Sequence, residues 1–392
     1  MMRKSVAILL PWLKMGGTNK IALNFIRELS EYCDVTLVLS EKSGELLEEL
    51  PDNIHLIVDK MVDFKKLLFE DIKYLRIVSI IKDFAYYIKI RIGKDSIDNY
   101  RYIVERSEQI CDMEFDCAIS YHGQSPERLL NLLYRIKSKK KVVWIHGEMS
   151  FSEDKCSRLK KYYQKIDHFF FVSNPTKESF AKVIPFNETK ATVYYNPIYK
   201  QDILKKSWAQ YEMPFESEYV NLLTVGRISS EKGQDMIPTI TRNLINFGYK
   251  VRWYIVGDGN MRSEIEKRIK QEYVEDSVFL LGVKKNPYCY MKDCDIYVQP
   301  SYTEGYSTTI CEAGMLGKAI VGTKPSGGIS DQITHGIDGL IVDATVDGLT
   351  NGIMKLLEDN ELKARFESMI QKKNFEGKGE IQKFLVYLNE KG

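Results

Sequence analysis

Several signals are missing from this sequence, and each absence removes a class of function. There is no CxxC pair. The seven cysteines (Cys33, Cys111, Cys117, Cys156, Cys289, Cys294 and Cys311) are scattered singly, so neither a disulfide framework nor a structural zinc site is expected, and a reducing cytoplasm is the plain expectation. No stretch approaches the roughly 18 uninterrupted apolar residues of a membrane-spanning helix. The first apolar run covers only Val6–Leu10 and has no small-residue cleavage site behind it, so no cleavable leader is expected. Charge of one sign is also lacking: 56 Lys and Arg stand against 54 Asp and Glu, a net +2, which excludes nucleic-acid binding by bulk charge. What remains is ordinary globular composition, 44% hydrophobic and 28% charged, in 392 residues. That length is too great for a single core and fits two or three domains.

Short apolar or β-branched runs alternate with longer helical patterns. Strands are expected at Val6–Leu10, Val35–Leu39, Ile54–Val58, Cys117–Ser120, Val142–Ile145, Phe169–Val172 and Thr192–Tyr195, with a helix over Ile21–Leu29. A second series should place strands at Asn221–Val225, Arg252–Val256, Val278–Leu281, Asp295–Gln299 and Ala319–Gly322. The polar stretch Asn196–Ser217, broken by Pro197 and Pro214, is the expected linker. This βαβ rhythm implies an α/β fold of two doubly wound, Rossmann-like domains with ligands at the carboxyl ends of the strands, in a cleft between the halves. The expected boundaries are 1–205 together with a returning helix near 376–392, and 206–375. After Glu358 the chain reads as helical to about Lys373, with a last short helix at Phe384–Leu388.

Residues 60–94 interrupt the rhythm, with nine basic and four acidic side chains interleaved with aliphatic and aromatic ones. Such a segment can lie on an anionic bilayer surface. A helical pair covering the sheet, its lysines in water, explains it slightly better.

Four constellations carry chemistry. Gly16 and Gly17 follow the first strand and precede a helix whose free N–H groups favour an anion, although a tight turn explains the pair equally well and it is neither a GxGxxG nor a P-loop. After the strand ending at Val225, Gly226 frees the turn and brings Arg227 and Lys232 into one loop, where two cations can neutralise a diphosphate. In Pro300-Ser-Tyr-Thr-Glu-Gly-Tyr-Ser-Thr-Thr-Ile-Cys-Glu312, Glu304 lies in a strand-to-helix loop and Glu312 about two turns into a helix expected over 306–316. One carboxylate can grip hydroxyls at the reacting end of a ligand and the other a ribose, while Tyr306, Ser307 and Thr308 offer N–H groups to phosphate. His122 and His146 end strands of the first series. Glu148 follows closely and is equally well explained as a helix N-terminal carboxylate. Asp293-Cys-Asp295 stands at the amino end of its strand, away from the ligand side, and reads as structural, so no metal is expected.

The segment with Glu304-Gly305 and Glu312-Ala313 resembles the EX7E signature of the retaining, GT-B-fold glycosyltransferases of family 4. Gly226-Arg227, Glu231-Lys232-Gly233, Val256-Gly-Asp-Gly259, Gly327-Gly328-Ile-Ser-Asp331, Gly16-Gly17 and Gly336-Ile-Asp-Gly339 fit the same pattern in the same order. The resemblance implies a catalytic set of Glu304, His146, Lys232 and Arg227. It implies donor contacts from Gly16, Gly17, Gly226, Gly257, Val283, Gly305, Tyr306, Ser307, Thr308 and Glu312, and weaker acceptor contacts from His122 and Glu148. Asp331 stands where Glu is usual, and Ser307-Thr308 replace the commoner Gly-Leu, which bears on fine donor contacts.

The implied reaction moves a sugar, with retention, from a nucleotide sugar (a UDP-sugar favoured) to a hydroxyl of a glycan or lipid-linked oligosaccharide in surface polysaccharide assembly. Neither cofactor nor metal nor nucleic acid enters it. The expected location is the cytoplasm, with peripheral contact at the inner membrane face if 60–94 meets anionic lipid. A GT-B nucleotide-sugar epimerase and a non-catalytic pseudo-glycosyltransferase subunit are the alternatives. The Glu304/Glu312 spacing argues against the first, and the intact donor-site residues against the second.

Overall fold

A computed structural model describes residues 3–59, 97–147, 153–212, 214–324, 326–377 and 379–390, with Lys73, Ile81, Ala85 and Ile88. The basic stretch 60–94, those four residues apart, and Glu148 lie outside the described residues. The chain divides into two units. Unit 1 comprises 1–172, 177–194 and 379–392; unit 2 comprises 173–176 and 195–378. The crossover therefore comes earlier than the expected 205, and the return to unit 1 a little later than 376.

Among the described residues, unit 1 holds seven strands: β1 (Ser5–Leu10), β2 (Asp34–Leu39), β3 (His55–Val58), β4 (Glu114–Ser120), β5 (Lys137–Ile145), β6 (His168–Phe171) and β7 (Ala191–Val193). They form one parallel sheet in the order β3-β2-β1-β4-β5-β6-β7, with β1 and β4 adjacent where the order reverses. Central strands such as β1 and β6 are near-continuous apolar runs because helices cover both of their faces. The helix Gly17–Tyr32 lays Ile21, Phe25, Ile26 and Leu29 on the sheet. Around Phe25 the rings of Trp144, Tyr194, Phe384 and Tyr121 lie at 4.8, 5.9, 5.5 and 6.0 Å. Phe384 belongs to the helix Glu380–Asn389, which also sets Tyr387 against His168 at 4.4 Å.

β5 starts five residues before the expected Val142, in Lys137-Ser-Lys-Lys-Lys141, a run without an apolar residue. The ladder with β4 supplies the pairing, and the lysines find partners: Lys139 on Asp116 at 2.8 Å, Lys140 on the Tyr387 carbonyl at 2.7 Å, Lys141 on the Ile136 carbonyl at 2.6 Å.

Unit 2 is built on β8 (Val220–Val225), β9 (Val251–Val256), β10 (Val278–Gly282), β11 (Ile296–Gln299), β13 (Ala319–Thr323) and β15 (Leu340–Val342), in the parallel order β10-β9-β8-β11-β13-β15. A separate two-residue pair, β12 (Thr303–Glu304) with β14 (Ser326–Gly327), sits beyond the ends of the main strands. β12, β14 and β15 are too short for periodicity to reveal. The expected linker is not all loop either, since Lys200–Ser207 forms a helix burying Ile203. The helical region after Glu358 is the helix Asn360–Lys372, and Asp359 caps it by accepting from the Leu362 N–H at 2.8 Å.

Candidate active site

Unit 2 gathers its chemistry at the carboxyl ends of β8, β9, β10 and β11, where the intervening loops pack backbone against backbone. Gly226 N–H donates to the Val256 carbonyl at 3.0 Å, Ile228 N–H to the Asp258 carbonyl at 2.9 Å and Gly257 N–H to the Gly282 carbonyl at 2.9 Å. Gly257 has φ +145°, and a Cβ there would lie 1.9 Å from the Gly226 carbonyl oxygen, so only glycine allows the β8 and β9 loops to meet. Gly233 is left-handed at φ +65°, and its Cβ would lie 2.1 Å from the Pro300 carbonyl oxygen. That approach, with Tyr302 N–H donating to the Glu231 carbonyl at 2.9 Å, fastens the loop carrying Lys232 to the loop carrying Glu304.

The two side chains then meet. Lys232 Nζ donates to Glu304 Oε2 at 2.7 Å and Oε1 at 2.9 Å. The carboxylate is 9% and the ammonium 20% exposed, so the pair is far better shielded than a surface ion pair. Glu304 lies in the expected strand-to-helix connection, where it forms part of the two-residue strand β12 and its carbonyl accepts from Gly328 N–H at 2.9 Å. Gly305 is pinned in turn, its carbonyl accepting from Ser173 Oγ at 2.8 Å. Arg227 is brought to the same loop but points its guanidinium into solvent, 72% exposed, 3.3 Å from Glu231; Gln234 Nε2 holds its carbonyl at 2.9 Å.

The helix expected over 306–316 runs from Thr308 to Met315, with Ser307 as its N-cap. One expectation fails here. Ser307 N–H is not open to a phosphate, because it donates to Gln332 Oε1 at 2.9 Å while Gln332 Nε2 donates to the Ser307 carbonyl at 2.6 Å. A buried glutamine thus clasps the loop by its main chain. Burial pushes the Tyr306 phenol up, with Cys311 beside it adding to the effect. Glu312 is buried on the inner side of the helix, where Tyr288 Oη donates to its Oε1 at 3.2 Å. Val283 is exposed just past the end of β10. Asp295 accepts from Asn221 N–H at 2.8 Å and Asp293 from Tyr211 Oη at 2.7 Å, so both carboxylates of the Asp-x-Asp have protein partners.

In unit 1, Gly16 N-caps the helix Gly17–Tyr32 in an extended conformation (φ 165°), and a Cβ added to it would meet nothing within 4 Å. His122 and His146 follow β4 and β5, their rings 5.9 Å apart. Burial holds both neutral: the His122 pKa falls to about 4, with Arg128 adding to the effect, and that of His146 falls well below the ordinary value, lowered further by His122. The Nε2 atoms of both lie buried without a hydrogen-bond partner among the described residues.

Sequence reasoning missed Gln299, Ser301, Tyr288 and Gln332. The one signal for Gln299 is a polar residue ending an otherwise apolar strand, Ile296-Tyr-Val-Gln299.

Residues 212–373 match the family model described as Glycosyl transferases group 1. An uncharacterized glycosyltransferase of Methanocaldococcus jannaschii is 23% identical over 228 residues, 53% of this chain and 55% of that protein. The N-acetylgalactosamine-N,N'-diacetylbacillosaminyl-diphospho-undecaprenol 4-alpha-N-acetylgalactosaminyltransferase of Campylobacter jejuni is 25% identical over 207 residues, again 53% and 55%. The chain thus spans about half the length of these curated relatives. Anabaena HepE, solved in complex with UDP and glucose, superposes with a TM-score of 0.72 at 17% identity, covering 99% of this chain and all of that one. Residues 212–373 are thus similar to the glycosyl transferases group 1 family, in a chain with the GT-B fold of two Rossmann-like α/β domains.

Proposed function

We propose that this chain is a retaining glycosyltransferase of the EX7E type that moves a sugar from a nucleotide sugar to an acceptor hydroxyl. The observation that carries the reading is the shielded Lys232–Glu304 pair, held where the loops of β8 and β11 are locked together. Lys232 is the cation for the donor diphosphate, and Arg227 folds in from solvent to share it. Glu304, released from the ammonium by the incoming phosphate, takes the hydroxyls of the sugar. Glu312, on the helix Thr308–Met315, takes the ribose.

The bond between the anomeric carbon and the leaving phosphate oxygen breaks as a bond to the acceptor oxygen forms on the same face. The acceptor proton passes to the departing nucleoside diphosphate, so no carboxylate nucleophile is needed. Lys232, Arg227 and the first-turn amides of the helix Thr308–Met315 offset the charge that develops on the leaving group.

A UDP-sugar is favoured as donor, since the solved neighbours include complexes with UDP and with UDP-glucose. A glycan or lipid-linked oligosaccharide is the proposed acceptor. Two features support it: the Campylobacter relative's name specifies a diphospho-undecaprenol substrate, and residues 60–94 are basic and amphipathic in sequence. Among the described residues no helix is long and apolar enough to cross a membrane, so a lipid-borne acceptor would be met at the bilayer surface.

The test is turnover on a panel of nucleotide sugars with membrane extract as acceptor. Glu304→Gln and Lys232→Ala are each expected to lower kcat/KM by about a hundredfold or more in folded protein. Near-normal turnover in both contradicts the roles of this pair. Nucleotide release with sugar isomerisation and no need for acceptor would instead support the epimerase.

A further inference from the structure

Beneath Glu304 lies a set of buried polar side chains that sugar transfer by Lys232, Glu304 and Glu312 leaves unexplained. Gln299, 3% exposed at the end of β11, is the hub. Its Oε1 accepts from Tyr297 Oη at 2.9 Å and from Thr309 Oγ1 at 3.1 Å, and its Nε2 donates to Ser301 Oγ at 2.8 Å and faces Glu304 Oε2 at 3.5 Å. Both lone-pair directions and both amide protons are thus engaged. Ser301, fully buried, passes its own proton to Glu304 Oε2 at 3.1 Å.

The direction of these bonds follows from proton counting. Thr309 has one hydroxyl proton and gives it to Gln299, so Ser307 must be the donor in the 3.1 Å contact between Ser307 Oγ and Thr309 Oγ1. Ser307 Oγ in turn accepts from the Ile310 N–H as the helix cap. Turning the amide over would aim Gln299 Oε1 at the carboxylate and take the donor away from Ser301. The chain therefore runs one way, from the N-cap of the helix bearing Glu312, through Ser307, Thr309, Gln299 and Ser301, to Glu304. Every dipole points at the carboxylate, an arrangement in which successive bonds strengthen one another.

We propose that Gln299 is a positioning residue: through this one-way chain it fixes the Glu304 carboxylate relative to the helix that carries Glu312, and so sets where the two carboxylates grip the donor. The inference rests on the proposed sugar transfer, but the placement of Glu304 is measurable without it.

The experiment compares crystal structures and kinetics of wild type, Gln299→Met, which keeps the volume and loses every hydrogen bond, and Gln299→Glu, which keeps the shape and loses the two donors. In both variants Glu304 Oε2 should leave Ser301 Oγ. With a UDP-sugar donor, kcat should fall about 10- to 100-fold while KM stays within about twofold, as for a misplaced but still assembled site. Gln299→Glu should be the more damaged because it sets a second carboxyl against the first. A purely structural role would lower the melting temperature and leave kcat per folded molecule unchanged. If either variant fails to fold, Thr309→Val, at a half-buried position, removes one link and should give a smaller loss of the same kind.

Glu304 remaining on Ser301 Oγ in the variants, or moving with kcat unchanged, overturns the proposal. A wild-type protein that turns over no nucleotide sugar, while the variant crystals show Glu304 displaced, defeats the transfer reading and leaves the positioning role standing.

Discussion

The two units share an architecture and hold the ends of their strands with different proportions of main-chain and ring contacts. In unit 2 the loops beyond the strands touch main chain to main chain, through glycines and backbone hydrogen bonds. In unit 1 the region under the strand ends is filled with rings: Phe25, Tyr121, Trp144, His146, Phe170 and Tyr194 in one connected cluster. On the proposed function, unit 2 takes a diphosphate, which is small, charged and the same in every nucleotide sugar, and a rigid backbone frame suits it. On the same proposal unit 1 meets the acceptor, and side chains on a common sheet can change from one acceptor to another without moving the frame. Unit 1 has such an approach too, since a Cβ on Gly44 (φ +120°) would lie 2.1 Å from the Leu13 main chain, but its ring cluster makes it the unit that loses more when a ring is removed.

The largest expected effect sharpens the unit 1 side. Phe25→Ala removes a ring in contact with four others and should destabilise unit 1 by about 3–5 kcal/mol, read by chemical denaturation with hydrogen exchange resolving the two units. Protection lost equally in unit 2 would break the comparison. Next, Gly257→Ala forces a Cβ against the Gly226 carbonyl in a backbone conformation that side chains avoid, and should destabilise unit 2 by at least about 2 kcal/mol. A variant as stable as wild type would show that the glycine contact is not what sets the loops.

A smaller effect comes from acid. Four of the five histidines (His55, His122, His146 and His168) are in unit 1. Burial lowers the pKa of His122 and of His168 to about 4 and that of His146 well below normal. The unfolded chain protonates these groups near pH 6.5, before the folded one does. Above that pH folding needs no deprotonation of them, and stability falls as the pH drops from about 6.5 towards 4, by about 1.4 kcal/mol per pH unit for each histidine. Unit 1 should lose stability first in melts between pH 7 and pH 4.5, and His168→Gln should blunt the loss. Parallel loss in both units would count against this.

The smallest effect on stability is the most informative about function. Gly16 is extended and faces open space, so Gly16→Ala should change stability by no more than about 0.5 kcal/mol. If Gly16 is glycine because a ligand approaches its backbone, donor turnover should still fall. Turnover and stability both unchanged would return it to an ordinary turn residue.

Much of this was legible in the sequence. The βαβ rhythm located most of the strands because buried parallel strands are apolar throughout, and Gly233 beside Lys232 stood out in the sequence because close backbone approach to Pro300 admits no other residue there, whereas Gly226 has room for a side chain. Hydropathy missed the lysine-rich start of β5, which is held by its ladder and by carbonyls in the rest of unit 1. It also missed the Gln332 clasp, since a side chain that replaces a backbone partner across 25 residues leaves no local pattern. The Gln299 hub was hidden similarly: its partners lie on β11, the β11 loop and the first turn of a helix, which only the fold brings together.

The central claim is that the Lys232–Glu304 pair marks the seat of the donor diphosphate. A crystal soaked with UDP-sugar tests it most directly: phosphate oxygens should lie within hydrogen-bond distance of Lys232 Nζ, with Glu304 turned to the sugar hydroxyls. Electron density for the nucleotide elsewhere, with the ion pair unbroken, would contradict it.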